Sequence, residues 1–171
     1  MEFIVEDGTI VPGANSLVSV AEATNILWFN VFRFSTWENT TQETKEKYLV
    51  MATRYLSLSF TFNGTLVDPT QELPFPRDRL YSADVGGYLP NDIIPKRIKE
   101  AVVEIALWYL DRATDSLNVN DNIESIVTED VEVTFDLNNK IDEIPPIVLR
   151  LLTGFATFNG GTIRFIKIRK S

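Results

Sequence analysis

The chain of 171 residues contains no cysteine and no histidine. Without cysteine, disulfide bonds, thiolate metal sites and thiol catalysis are excluded. Without histidine, the chain lacks the usual general base, the usual serine-protease triad and the commonest metal ligand. No P-loop or dinucleotide-binding motif is present either. The one catalytic arrangement that the composition does not exclude is a pair of carboxylates of the kind that glycosidases use. The sequence therefore predicts a protein that is not an enzyme and uses no cofactor.

Long apolar runs are also absent. No stretch approaches the eighteen apolar residues of a membrane span, and no basic segment precedes an apolar one near Met1. Hydrophobic residues nevertheless make up 44% of the chain. A chain of this size buries enough surface to fold without a metal or a disulfide. We expect one soluble, intracellular domain with extended arms.

Basic residues are scarce and unevenly placed. Lys and Arg total 16 against 24 Asp and Glu, for a net charge of -8. The first 143 residues hold 11 basic and 24 acidic groups, a net of -13, whereas the last 28 hold five basic groups and no acid. An acidic body repels DNA phosphates. The basic final segment instead predicts contact with an acidic surface.

Apolar residues spaced three or four apart predict about four helices. They span Val20 to about Phe34, about Thr41 to Leu58, about Pro95 to Ala113, and Ile147 to Phe155. The capping-box pairs Ser19/Glu22 and Thr40/Glu43 mark the N-termini of the first two predicted helices. The expected fold is mainly α: a small helical bundle with a long ordered loop, a β-hairpin and an extended C-terminal tail.

The segments outside the helices define the expected domain organisation. An irregular arm covers residues 1–18, a helical domain covers 19–158, and a basic tail covers 159–171. Within the domain, residues 60–92 are rich in proline and glycine, which predicts an ordered excursion held on the core by apolar residues such as Phe75, Leu80 and Tyr88. Alternating residues over 123–135 predict the hairpin.

A cluster of aromatic residues follows the start of the first predicted helix: Trp28, Phe29, Phe32, Phe34 and Trp37. Such a cluster suits the stacking of single-stranded bases if basic residues are interleaved with it. Only Arg33 lies within the cluster, and the spacing is helical. Packing in the core is therefore the favoured interpretation.

Arg77 follows Pro74-Phe75-Pro76, where the prolines stiffen the backbone and orient the side chain. We expect it to anchor the long loop through a salt bridge to an acidic helix face. Contact with a partner or with nucleic acid is the alternative.

The predicted hairpin carries an acidic turn at Glu129, Asp130 and Glu132. Carboxylate oxygens at this spacing are compatible with a divalent cation. Acid-rich turns are more often simply solvated, so no metal site is predicted.

The final segment combines apolar and basic residues in loose alternation: Arg164, Phe165, Ile166, Lys167, Ile168, Arg169 and Lys170. This pattern is typical of a strand that adds to the sheet edge of a neighbour, with its basic residues on an acidic surface. A strand folded back on the chain's own hairpin is an equally good interpretation.

Three segments, in order, resemble a known family. They are Val5-Glu6-Asp7-Gly8-Thr9 with Gly13-Ala14-Asn15-Ser16 and Val18-Ser19-Val20-Ala21-Glu22-Ala23, then Phe75-Pro76-Arg77, then Ile94-Pro95-Lys96-Arg97-Ile98-Lys99-Glu100-Ala101 continuing to Glu104 and Ala106. Together they resemble the head–tail connector (adaptor) proteins of tailed phages, a family also labelled DnaT-like single-stranded-DNA-binding protein. The resemblance spans residues 5–155 and leaves out the basic tail.

The connector label implies a structural virion protein of the phage neck, assembled in the host cytoplasm. About twelve copies form a homo-oligomeric ring between the portal protein and the tail or a stopper (tail-completion) protein. The ring extends the DNA channel, and genomic double-stranded DNA passes without specific binding and without any membrane. In that arrangement the basic tail would bind the portal or a neighbouring subunit, and the acidic hairpin would face the lumen or the tail.

The two family labels imply different functions. A channel that passes DNA should repel phosphates, so the net charge of -13 over the first 143 residues favours the connector. A single-stranded-DNA-binding replication protein is the alternative. A structural domain of some other assembly is a third and weaker possibility.

Overall fold

The computed structural model describes residues 2–30, 33–115, 125–128, 131–134 and 144–159. Within these residues the chain forms five helices and four two-stranded antiparallel sheets. The helices are α1 (Val20–Leu27), α2 (Phe34–Glu38), α3 (Gln42–Ser59), α4 (Lys96–Asp115) and α5 (Pro146–Leu152). The strands are β1 (Phe60–Phe62), β2 (Thr65–Leu66), β3 (Arg77–Asp78), β4 (Tyr81–Ser82), β5 (Gly87–Tyr88), β6 (Ser125–Thr128), β7 (Val131–Thr134) and β8 (Ala156–Phe158).

The expected fold, a mainly α bundle of about four helices, is wrong, because the described chain is a mixed α/β structure. The region 60–92, expected as a loop, contains β1 to β5, and β1 pairs with β8 in the register Phe60↔Phe158. β2 pairs with β3, and β4 with β5. Strands of two or three residues are too short to show the alternation from which strands are predicted.

Helix α4 forms the centre of the core and contacts α1, α3 and α5. Its fully buried residues share an apolar character: Ile98, Ala101, Val102, Val103, Ile105, Ala106 and Leu107. So many buried positions on consecutive turns mean that the helix is covered on more than one side. The predicted start near Pro95 agrees with the observed helix to within one residue.

Helix α1 is shorter than expected. Ser19 and Glu22 form the predicted capping box, in which the Ser19 Oγ accepts the Glu22 N–H and the Glu22 carboxylate accepts the Ser19 N–H. The helix ends at Leu27, where the Asn30 N–H donates to the Leu27 carbonyl and the chain turns before α2. This turn separates the residues that the helical spacing had placed on one face.

The turn changes the environment of the aromatic cluster. Trp28 is 67% exposed and Phe29 is 87% exposed, so core packing is wrong for both. Trp37 is fully buried in α2, and its indole N–H donates to Thr24 Oγ1 at 3.1 Å. Core packing is therefore correct for Trp37.

Helix α3 begins one residue later than its expected capping box. Thr41, not Thr40, is the capping residue, and its hydroxyl accepts the Thr44 N–H. Leu49, Ala52, Thr53 and Leu56 are buried in this helix, whereas Met51 is 46% exposed.

The N-terminal arm packs against the body. Leu17 and Val18 are fully buried. The buried Glu6 carboxylate accepts the backbone N–H groups of Gly8, Ile10 and Val11 at 2.8 to 3.0 Å. Gly8 has φ 109°, and a Cβ there would lie 2.0 Å from the Asp92 carbonyl oxygen, so only glycine fits. The arm is therefore shaped by a buried carboxylate and by a close backbone contact.

Two further predictions concern the region after α4. Strands β6 and β7 pair antiparallel with Ser125 opposite Thr134, within the predicted hairpin 123–135. Helix α5 was predicted from Ile147 to Phe155, but it runs over Pro146–Leu152 and is followed by β8, which the sequence did not predict. Pro146 suits the first helical turn, because an N–H at that position has no partner within the helix and its absence therefore breaks no hydrogen bond.

The Glu22 carboxylate ties α1 to α4 and makes stability depend on pH. Burial raises its pKa, but hydrogen bonds from Lys99 and Ser19 outweigh burial and leave the pKa below 4.5. A carboxylate whose pKa is lowered by folding contributes its full stabilisation when the pH is above its pKa in the unfolded chain. That stabilisation is lost as the pH falls through its pKa in the folded protein.

We therefore expect Glu22→Gln to destabilise the protein at pH 7 and to make much less difference at pH 3. Urea unfolding of both proteins at the two pH values measures this. Glu38→Gln, an exposed acid at the end of α2, is the control and should change little at either pH. An equal loss for Glu22→Gln at pH 7 and pH 3 would contradict the prediction.

Candidate nucleic-acid interface

Two tyrosines form an exposed aromatic pair on the β4–β5 hairpin. Tyr81 and Tyr88 are cross-strand partners, 50% and 70% exposed. Their rings meet edge to face with centroids 5.9 Å apart. Exposed aromatic rings on neighbouring strands are the groups on which single-stranded-DNA-binding proteins stack bases.

Three cations lie near this pair in the chain or in space. Arg97, in the first turn of α4, contacts Asp84 at 3.0 Å in the hairpin and lines a pocket of about 80 Å³ together with Tyr81. Arg79 precedes Tyr81 by two residues, and Lys96 precedes Arg97. Aromatic rings with cations beside them can hold both the bases and the phosphates of a single strand.

The three cations are paired with acids that are exposed or half-buried. Arg79 pairs with Asp78 at 3.6 Å and Lys96 with Glu100 at 3.5 Å. Surface ion pairs of this kind contribute only about 0–1 kcal/mol. A DNA phosphate can therefore compete for these cations at low cost.

Two other cations, Arg33 and Lys99, are engaged in ion pairs inside the fold. Arg33 forms a fork to Glu104 and Asp111, and Lys99 binds Glu22. Burial raises the pKa of Glu104, with the nearby Asp111 adding to that effect and Arg33 opposing it. These pairs join α1 and α2 to α4 and serve the fold.

Arg77 binds backbone carbonyls. Its guanidinium donates to the carbonyl oxygens of Asn63 at 2.7 Å, Gly64 at 2.9 Å, Pro74 at 3.1 Å and Phe62 at 3.3 Å. Burial lowers its pKa. These contacts hold the residues after β1 against β3, whereas the sequence favoured a salt bridge to an acidic helix.

The other sequence-predicted site residues lie outside what the structure describes. This applies to the turn residues Glu129 and Asp130 and to the tail residues Arg164, Phe165, Ile166, Lys167, Ile168, Arg169 and Lys170. Glu132 lies on β7, but its side chain is outside the described ones. Their roles stay predictions.

The tyrosine pair was not predicted from the sequence. Tyr88 was expected to hold the region 60–92 on the core, as Phe75 and Leu80 do from buried positions. The available signal was the Gly86-Gly87 pair: Gly86, at φ 64°, ends the turn after β4, and Gly87 begins β5, which places Tyr88 opposite Tyr81.

The chain was compared with known proteins. A family model described as "Putative DnaT-like ssDNA binding protein" matches residues 1–170. The chain belongs to this family. No curated protein and no solved structure matches it significantly.

Family membership agrees with the DnaT-like label of the resemblance described above. It supports the alternative, single-stranded-DNA binding, better than it supports the connector. In the described part of this DnaT-like chain, no group of three or more acidic side chains is arranged to hold a metal ion. Among the same residues, no helix has the length and apolar character to cross a membrane.

Arg77→Lys should destabilise the protein by about 1–3 kcal/mol, because one ammonium group cannot replace a planar fork that reaches four carbonyls. Urea unfolding measures this loss. Arg79→Lys is the matched control, since the Arg79 side chain is 80% exposed, and it should change stability by less than about 0.5 kcal/mol. Equal stabilities of the two variants would show that the carbonyl contacts do not anchor the loop.

Proposed function

We propose that the protein binds single-stranded DNA, with Tyr81 and Tyr88 as the stacking surface and Arg79, Lys96 and Arg97 as neighbouring phosphate contacts. The observation that carries the proposal is the match of the DnaT-like family model to residues 1–170. The exposed tyrosine pair gives this function a place on the surface.

Stacking suits a protein with few available cations. A base stacked on an aromatic ring contributes about 1–3 kcal/mol, whatever the base. The rings at Tyr81 and Tyr88 lie on a short hairpin and expose half or more of their surface, so a flexible single strand can reach them. A rigid duplex keeps its bases stacked inside and gains nothing from these rings.

The charge of the chain sets the expected strength of binding. The net charge of -13 over the first 143 residues opposes phosphate binding. The cations at Arg164, Lys167, Arg169 and Lys170 offset part of that repulsion. We therefore expect an affinity that is modest and falls as salt rises, with a slope set by the few phosphates contacted.

The double variant Tyr81→Ala/Tyr88→Ala should weaken binding to a fluorescent oligo(dT) by about tenfold or more, because 1.4 kcal/mol corresponds to tenfold in affinity. Fluorescence anisotropy at low salt measures this change. Val85→Ala is the matched control, since Val85 lies on the same hairpin and is 65% exposed but has no ring. Its affinity should stay within twofold of the wild type.

Two results would contradict the proposal. One is the absence of oligo(dT) binding by the wild-type protein at low salt. The other is a double variant that binds as tightly as the wild type, which would exclude the tyrosines as the stacking surface.

A second candidate function is the head–tail connector, a structural ring of the phage neck. The observation that favours it is the acidic charge of the chain, together with body cations engaged by acids, as for Arg33 and Lys99. Such a surface lets DNA pass without adhesion. In this proposal about twelve copies form the ring between the portal protein and the tail or stopper protein.

The connector proposal implies that the gene belongs to a tailed phage, and deletion of the gene from that genome distinguishes the two functions. Electron microscopy of the lysates is combined with measurement of DNA synthesis. A connector predicts normal DNA synthesis with separate tails and heads that lose their DNA. A replication protein predicts failed DNA synthesis and few filled heads. The deleted gene supplied from a plasmid is the control and should restore complete particles.

A further inference from the structure

A groove lies between the N-terminal arm and the first half of α3. Its volume is about 440 Å³. The lining residues come from the arm and from one face of the helix: Glu2, Phe3, Asn15, Glu43, Glu46, Lys47, Val50 and Met51. The tyrosine pair and the described ion pairs of α4 lie elsewhere, so the groove is separate from the candidate nucleic-acid interface.

The lining of the groove divides by chemistry into an apolar set, called the floor, and a charged, mainly acidic set, called the rim. Phe3, Val50 and Met51 provide the floor, and Met51 is 46% exposed in the middle of an 18-residue helix. At the rim, Glu43 is engaged by Lys47 at 2.6 Å, while Glu46 accepts the Gln42 side-chain amide and forms no ion pair with another described residue. With Glu2, the rim carries net negative charge. An occupant of matching chemistry is both apolar and basic.

Residues 163–170 of this chain have that chemistry. Ile163, Phe165, Ile166 and Ile168 alternate loosely with Arg164, Lys167, Arg169 and Lys170. Extended backbone directs neighbouring side chains to opposite faces. One face of an extended segment can then contact the floor while cations near its edges reach the carboxylates.

The end of the described chain places this segment within reach. Asn159 donates its N–H to the Ser59 carbonyl at 2.8 Å, so the chain leaves the body at the C-terminal end of α3. Met51 lies about 12 Å back along that helix and Glu43 about 24 Å, at about 1.5 Å per residue. Residues 160–168 span about 30 Å when extended, at about 3.3 Å per residue. The segment therefore covers the distance along its own α3.

We propose that residues 163–170 dock in the groove of the same chain, with the apolar side chains of one face of the segment on Phe3, Val50 and Met51 and its cations at Glu43 and Glu46. The proposal concerns the chain alone and stands whether or not the protein binds DNA. It has one consequence for DNA binding: docking and phosphates compete for the same four cations.

The absence of cysteine makes the test simple, because each introduced thiol is unique. In the full chain, Met51→Cys/Ile166→Cys is treated with a short bismaleimide and compared with Val85→Cys/Ile166→Cys. Met51 and Val85 are both exposed, but Val85 lies on the β4–β5 hairpin away from the groove. We expect an intrachain cross-link that forms at least tenfold faster at position 51, read as a shifted monomer band and by mass spectrometry.

A charge reversal tests the rim. Glu43→Lys/Glu46→Lys, added to the Met51→Cys/Ile166→Cys chain, should slow the cross-link several-fold. Glu38→Lys/Glu72→Lys makes the same change in net charge at two exposed acids outside the groove. It should leave the rate within twofold. Circular dichroism of each variant confirms that the fold is kept before rates are compared.

Three outcomes would overturn the proposal. Equal cross-linking at positions 51 and 85 would mean that the segment does not favour the groove. Cross-links that join two chains and rise with protein concentration would mean that the groove takes the segment of a neighbouring copy. Equal effects of the two charge reversals would mean that net charge, not the rim, drives the contact.

Discussion

The burial of α4 is the constraint on which the rest of the described structure depends. This helix is apolar over most of its circumference, so it is stable in water only when α1, α3 and α5 cover it together. Each fully buried Ile or Leu contributes about 1.5–3 kcal/mol relative to exposure. Ion pairs then fix α1 and the start of α2 against α4, because Lys99 binds Glu22 of α1 and Glu104 binds Arg33, the residue before α2.

Residues whose environment follows from local spacing were predicted well from the sequence. The stripe of α4 and the Ser19–Glu22 capping box depend on neighbours three or four residues apart, which the sequence displays directly. The end of α1 was missed, because helical spacing continues past Leu27 although the backbone turns. The exposure of Trp28 and Phe29 follows from that turn, not from the character of their side chains.

The short strands and the candidate site depend on distant partners. Phe60 lies opposite Phe158, and no local pattern in either segment indicates the other. Arg77 was singled out by its prolines, but its partners are carbonyl groups, which every residue carries and no sequence motif marks. The tyrosine pair becomes a surface only when the turn that ends at Gly86 brings Tyr88 beside Tyr81. Composition alone favoured a DNA channel, whereas membership of the DnaT-like family favours DNA binding.

The pairing of β1 with β8 has a consequence for the protein during its synthesis. The ribosome makes α3 and β1 first, but the strand that completes the pair ends only at Phe158. Until that residue has left the exit tunnel, α5 is incomplete or freshly made and α4 has one face open to water. Contacts that join such distant segments form late in folding. The nascent chain therefore carries α4 with one apolar face uncovered from the synthesis of Asp115 until that of Leu152, and such a surface is one that co-translational chaperones bind.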